Sequence, residues 1–222
     1  SIALVPRNVI FIIMLKKRLL NNLLVYFISG FIKMTKKKQE EGKQDKQEEF
    51  KKFNIDLIGE RLIADDEDEA HNLYDQSRYG EVKDNKIQYS LVEGLYLLEK
   101  GKIEVLDGKK TLDFEEFVKY ATKKEPNFWI RYVAYRDMRN RGYIVKTALK
   151  FGADFRVYDR GIKPGEDHAK WVMYPVKESS GVTWYEFSAK NRVAHSTRKR
   201  LLIACVDEEN DLTYWQIDWT RP

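Results

Sequence analysis

This chain has little of what enzymes most often use to hold a metal or form a covalent intermediate. Among its 222 residues there is one cysteine, Cys205, and there are three histidines. A single cysteine excludes an internal disulfide and a Cys-based zinc site, and three scattered histidines do not supply the cluster zinc would otherwise need. No GxSxG or equivalent elbow occurs, so a hydrolase triad has no nucleophile to build on. Long apolar runs are missing too. Residues 9–15 and 23–32 are apolar but are split by Lys16, Lys17, Arg18, Asn21 and Asn22, and neither reaches the roughly 20 residues of a membrane span. No small-residue cleavage site of a signal peptide follows them. The lone Cys205, inside the apolar run 201–206, is expected to be a buried strand residue in a protein kept in a reducing cytoplasm.

What is present fits a soluble globular chain with a polar tail: 43% hydrophobic and 34% charged residues. The net charge of +5 leans toward a polyanionic partner. Residues 1–33 differ from the rest and are read as a non-native or disordered extension ahead of Met34, with an interfacial helix as the alternative. Residues 34–52 form a charged tail, seven lysines against five acids, without apolar periodicity.

The remainder reads as α+β, with a small mixed amino-terminal domain over 53–141 and a strand-rich domain over 142–222. In the first, a strand is expected over 55–64, an acidic turn over 65–69, a helix over 71–79 ended by Gly80, and a strand over 86–89. Ser90 and Glu93 have capping-box spacing ahead of a helix whose face carries Leu91, Leu95 and Leu98. A strand over 103–106 precedes a helix capped by Thr111, then a helix over 126–141 with Trp129, Tyr132, Val133 and Tyr135 as its buried stripe. In the second, strands are expected over 143–151, 154–158, 171–176, 201–207 and 213–220, with a helix over 184–200. The last strand alternates Trp215, Ile217 and Trp219 against Tyr214, Gln216 and Asp218. Those tryptophans either pack inward or meet another subunit.

Titratable groups concentrate between Arg141 and Lys170: Tyr143, Lys146, Lys150, Asp154, Tyr158 and His168. A second stretch, 190–200, holds five basic residues and no acid. Asp154 could open a magnesium-nuclease motif, but the chain reads His168-Ala169-Lys170 where the second carboxylate should fall. Metal-free acid–base chemistry on a phosphodiester remains. RNA brings its own nucleophile, the 2′-hydroxyl, so an enzyme need only remove that proton, protonate the leaving 5′-oxygen and neutralise charge on phosphorus. A tyrosine, a histidine and a lysine can divide these tasks, and the residues alone leave the division open.

The runs RGYIVKTALKFGADFRVYDRG, EDHAKW and RVAHSTRKRLLIACVD closely resemble the catalytic domain of archaeal tRNA-splicing endonucleases, and SLVEGLYLLEKGKIEV extends the resemblance into the amino-terminal half. The spacing fits as well, ten residues from Tyr158 to His168 and thirty-one from His168 to Lys199. Ala148 is a departure, standing where relatives often have glycine. The resemblance covers residues 53–222. It implies a restriction-endonuclease-like catalytic domain and a metal-independent, lyase-type endoribonuclease with no cofactor. Such an enzyme cuts precursor tRNA at bulge–helix–bulge junctions and leaves a 2′,3′-cyclic phosphate and a 5′-hydroxyl. Carried over, Tyr158 is the general base, His168 the general acid and Lys199 the transition-state stabiliser. Arg192 stacks on a flipped base, with Arg221 as the candidate second arginine. Asp207, Glu208, Glu209 and Asp211 form an acidic loop for a basic pocket of a neighbouring subunit, and Trp215, Ile217 and Trp219 lie on a strand that pairs about a two-fold axis. The expected assembly is a homotetramer, with a heterotetramer as the alternative. The competing reading is a non-catalytic RNA-binding or scaffolding subunit.

Overall fold

The computed structural model describes residues 51–65, 68–148, 152–165 and 167–220. The expectations for 1–33 and 34–50, and those for Lys150 and Arg221, lie outside the described residues.

The first sheet opens with a hairpin. β1 (Phe53–Ile58) turns through Gly59, at φ 61°, into β2 (Arg61–Ala64), where a single strand over 55–64 was expected. A glycine at the first position of a two-residue turn takes the positive φ that reverses the chain. α1 (Asp68–Ser77) carries Asp68 and Glu69 in its first turn, so the expected acidic turn starts the helix instead. Carboxylates there favour the positive end of the helix dipole. A second hairpin joins β3 (Glu81–Lys83) to β4 (Lys86–Ser90) across Asp84 and Asn85, both at positive φ.

α2 (Leu91–Glu99) begins at the Ser90–Glu93 capping box and leads into β5 (Ile103–Asp107), β6 (Lys110–Leu112) and α3 (Phe114–Lys124). Thr111 belongs to β6 rather than capping a helix. The cap of α3 is Asp113, whose side chain accepts the Glu116 N–H while Glu116 accepts the Asp113 N–H. The strand order is β3-β4-β2-β1-β5-β6, with β1 and β5 parallel.

α4 (Phe128–Asn140) links this sheet to a second one. That sheet consists of β7 (Ile144–Thr147), β8 (Phe155–Tyr158), β9 (Trp171–Lys177), β10 (Arg200–Val206) and β11 (Leu212–Ile217), in the order β11-β10-β9-β8-β7. β9 and β10 are parallel, and α5 (Trp184–Ser196) connects them. The sheet is therefore mixed, as expected. Tyr132, Val133 and Tyr135 of α4 are buried, whereas Trp129 is half-buried and its indole N–H donates to Asn210 Oδ1 at 2.6 Å.

One core runs through both sheets. Leu62, Ile87 and Val105 of the first share a cluster with Phe117 of α3, Tyr132 and Tyr135 of α4, and Phe155, Val157, Met173 and Leu202 of the second. Side chains alternate across a strand, so the opposite face of the second sheet presents Val172, Tyr174 and Leu201 to Ala194 of α5 in a smaller cluster. Arg156 and Tyr158 have the parity of that second face, since Arg156 sits opposite Val172. Cys205 is on β10 but only half-buried. Trp215 and Trp219 do not pack inward: they are 61% and 47% exposed. Among the described residues, no helix is long and apolar enough to cross a membrane.

Candidate active site

The structure brings Tyr158, His168 and Lys199 to one cleft of about 320 Å³, lined also by Arg156, Gly165, Asp167 and Ala169. Each reaches it from a different element. Tyr158 ends β8 and is buried apart from the face it turns to the cleft. His168 stands exposed on the loop before β9. Backbone bonds anchor that loop at its end: the Lys170 N–H donates to Val157 C=O at 2.9 Å, and Lys170 C=O accepts the Arg200 N–H at 3.0 Å. Asp167 Oδ1 accepts the His168 N–H at 2.6 Å, which fixes the backbone under the imidazole. Lys170 also closes onto Asp159 just after Tyr158, with its ammonium 2.7 Å from Asp159 Oδ2. Hydrogen bonds from Lys170 and from the Arg160 N–H hold the Asp159 carboxyl below the usual carboxylate range.

Lys199 is not on the helix, as the expectation over 184–200 had it. α5 ends at Ser196, and the Arg198 N–H donates to His195 C=O while the Lys199 N–H donates to Ala194 C=O at 2.8 Å. With Arg198 at φ 56°, this is a Schellman stop built without glycine. Lys199 is thereby pinned between helix and β10, and its ammonium donates to Thr197 C=O at 2.8 Å. Burial, and then the charge of Arg156, hold Lys199 below the ordinary lysine range.

Other residues singled out from the sequence lie elsewhere. Lys146, on β7, is buried, with its ammonium 3.9 Å from Glu93 and bonded to Gly80 C=O. Burial pushes it down despite the Glu93 charge. Asp154 pairs with Arg131 Nε at 2.9 Å, and its carboxyl is pushed up by burial. Both are fold-holding ion pairs rather than cleft groups. Arg192 is exposed on α5 and does not line the cleft. Glu208, Glu209 and Asp211 are exposed, whereas Asp207 is half-buried and closes its turn, Oδ1 accepting the Asp211 N–H at 2.8 Å. Trp215 and Ile217 line an apolar groove of about 300 Å³ with Val176, Val182, Phe187 and Ile203, and the Trp219 ring lies 4.9 Å from that of His195. His71 sits in α1, away from the cleft. Among the described residues, no three His, Cys, Asp or Glu side chains converge as metal ligands would.

The cleft residue that sequence reasoning missed is Arg156. On a strand it reads as one more polar position, and only its parity with Tyr158 across Val157 could have pointed to it.

An α+β chain that gathers a phenol, an imidazole and an ammonium around one cleft carries the side chains for proton transfer on an anionic substrate. Comparison with known proteins is consistent with that class. Residues 128–214 match the tRNA intron endonuclease catalytic C-terminal domain, and residues 54–118 match the tRNA intron endonuclease N-terminal domain. The chain is similar to the tRNA-splicing endonuclease of Thermococcus onnurineus, 44% identical over 74% of this chain and 95% of the relative. It is 46% identical to that of Nanoarchaeum equitans over 75% of this chain and 97% of the relative. With that of Methanothermobacter thermautotrophicus it shares 40% identity over 69% of this chain and 89% of the relative. The chain belongs to the tRNA intron endonuclease family.

Proposed function

We propose that this protein excises introns from precursor tRNA, cutting at bulge–helix–bulge junctions without a metal ion and leaving a 2′,3′-cyclic phosphate and a 5′-hydroxyl. The observation that carries this reading is the meeting of Tyr158, His168 and Lys199 at one cleft, from three separate elements, in a member of this family. In the proposed step Tyr158, as phenolate, takes the proton of the 2′-hydroxyl, and the 2′-oxygen bonds to phosphorus. The bond from phosphorus to the 5′-oxygen breaks, and His168, as imidazolium, protonates the departing oxygen. Lys199 offsets the extra negative charge on the non-bridging oxygens, where a fixed cation in a partly desolvated cleft is most effective. No redox change occurs, and one proton passes in net from the 2′- to the 5′-oxygen. Arg192 serves the same reading as a stacking cation outside the cleft. The strand-rich part, 142–222, is the nuclease domain and 53–141 a packing domain, in a protein that works in the cytoplasm. Cleavage of a bulge–helix–bulge RNA in excess EDTA is expected to proceed at the rate seen without chelator. Loss of cutting that added magnesium restores would contradict the metal-free step.

The assembly belongs to the same proposal. The exposed Trp215 beside an apolar groove is a surface a lone chain gains nothing by leaving wet. The exposed acids at 208, 209 and 211 suit a basic pocket of a neighbouring copy. We assign a homotetramer, and light scattering of the purified protein alone is expected to give four chains. A mass of one or two chains would favour the heterotetramer.

A further inference from the structure

Lys170 touches all three segments that carry the reacting groups of the cleft. The β8–β9 ladder stops at Val157 and Trp171, short of both Tyr158 and His168, so strand pairing alone does not fix the separation of base and acid. Two residues past His168, the Lys170 N–H donates to Val157 C=O on one side of Tyr158, and its ammonium meets Asp159 Oδ2 on the other side at 2.7 Å. Its C=O accepts the N–H of Arg200, the neighbour of Lys199. The clasp is itself well seated. Asp159 Oδ1 accepts the Arg160 N–H at 3.0 Å, so both carboxylate oxygens are engaged. The Lys170 ammonium lies 4.4 Å from the centre of the Trp171 ring, whose indole N–H donates to Gln216 Oε1 at 2.8 Å. With 38% and 39% of their side chains exposed, Lys170 and Asp159 form an ion pair of the kind that adds little to stability. What it adds is placement.

We propose that Lys170 is a positioning residue, whose clasp on Asp159 sets Tyr158 against His168 across the scissile phosphodiester without touching the RNA. This rests on the cleavage reading above. The base serves the 2′-oxygen and the acid the 5′-oxygen, so the two must be held at a set distance around one phosphorus. A misplacement of about 1 Å in such an arrangement can cost about 10²-fold in rate. The backbone bonds of Lys170 hold the segments near one another, and the side-chain pair fixes the last part of the geometry.

The test compares wild type, Asp159→Ala, Lys170→Met, the double variant and Lys170→Arg on a bulge–helix–bulge RNA. Single-turnover cleavage at saturating RNA, equilibrium binding and thermal unfolding are measured for each. Asp159→Ala and Lys170→Met are each expected to slow cleavage about 30-fold, short of the full cost of a 1 Å misplacement. The double variant is expected to be no slower than either single one, because the two side chains act as a unit. Binding should stay within about threefold of wild type, since many phosphates share the affinity, and the melting temperature within about 3 °C. Lys170→Arg keeps a charged donor for Asp159 and is expected to cut within about threefold of the wild-type rate. A lysine that instead contacted the RNA would leave Asp159→Ala as fast as wild type and weaken binding in Lys170→Met. That result, or losses that multiply in the double variant, or losses that only follow a lowered melting temperature, would overturn the proposal. A wild type that fails to cut overturns the parent reading and this one with it, whereas a cutting wild type beside a fully active Lys170→Met overturns this one alone.

Discussion

Replacing His168 with alanine is expected to slow precursor cleavage by about 10³-fold, within the range general acid–base groups contribute, while leaving RNA binding and thermal stability nearly unchanged. The separation follows from the side chain's position. His168 is exposed on a loop that is anchored by backbone bonds of Lys170 and by the Lys170–Asp159 pair, and its own backbone N–H is donated to Asp167 Oδ1. Alanine keeps that N–H, and exposed substitutions of this kind usually cost within about 0.5 kcal/mol. Single-turnover rates beside a binding isotherm and a melting curve check all three parts. A variant that cuts at the wild-type rate would remove His168 as the acid. One that melts early would mean that the loop depends on the imidazole after all.

The second large effect concerns stability, and it falls far from the cleft. Glu93→Ala is expected to destabilise the chain by about 3–5 kcal/mol, the range for stripping one partner from a buried ion pair. Glu93 is 4% exposed. One carboxylate oxygen accepts the Gly80 N–H at 3.1 Å, and the other accepts the Ser90 N–H and hydroxyl at 3.0 and 2.9 Å. Lys146, from the second sheet, sits 3.9 Å away and donates to Gly80 C=O. Gly80 itself cannot be rebuilt to compensate, because at φ 72° an added Cβ would lie 2.6 Å from Ile87 Cγ2. Removing the carboxylate therefore takes the acceptor from the Ser90 and Gly80 N–H groups, leaving α2 only the Ser90 half of its capping box, and strands an ammonium inside the protein. Urea unfolding measures the loss. Glu93→Leu combined with Lys146→Met should regain much of it, since neither charge is then buried alone. If the double variant is no more stable than Glu93→Ala, the cost lies in the cap and the Gly80 contact rather than in the stranded charge.

These residues also mark what could be read from the chain beforehand. The Ser90 capping box was legible because the chemistry is local, a hydroxyl and a carboxylate three residues apart. The ion pair it belongs to was not, since Lys146 arrives from a strand 53 residues later and no periodicity announces it. Short elements were lost for a similar reason. All three residues of β3 are exposed, so it shows no alternation to detect. The end of α5 was overrun because its stop is a backbone geometry at Arg198, in a run of basic residues with no glycine to flag it. In the cleft, Tyr158, His168 and Lys199 could be named by resemblance to a family, not by pattern, as the three come together only when the second sheet forms. Arg156 had no such pointer, and a cation on a strand ordinarily means a solvated face. The tryptophans of the last segment were legible as a problem, and the single chain leaves Trp215 and Trp219 largely exposed.

The central claim is that the RNA's own 2′-oxygen is the nucleophile, served by groups the protein itself supplies. End-group analysis of the two fragments of a bulge–helix–bulge RNA, cut in excess EDTA, tests it most directly. A 2′,3′-cyclic phosphate on the upstream fragment and a 5′-hydroxyl on the downstream one is the predicted result. A 3′-hydroxyl facing a 5′-phosphate would show that water or another external nucleophile attacked, and would contradict the account.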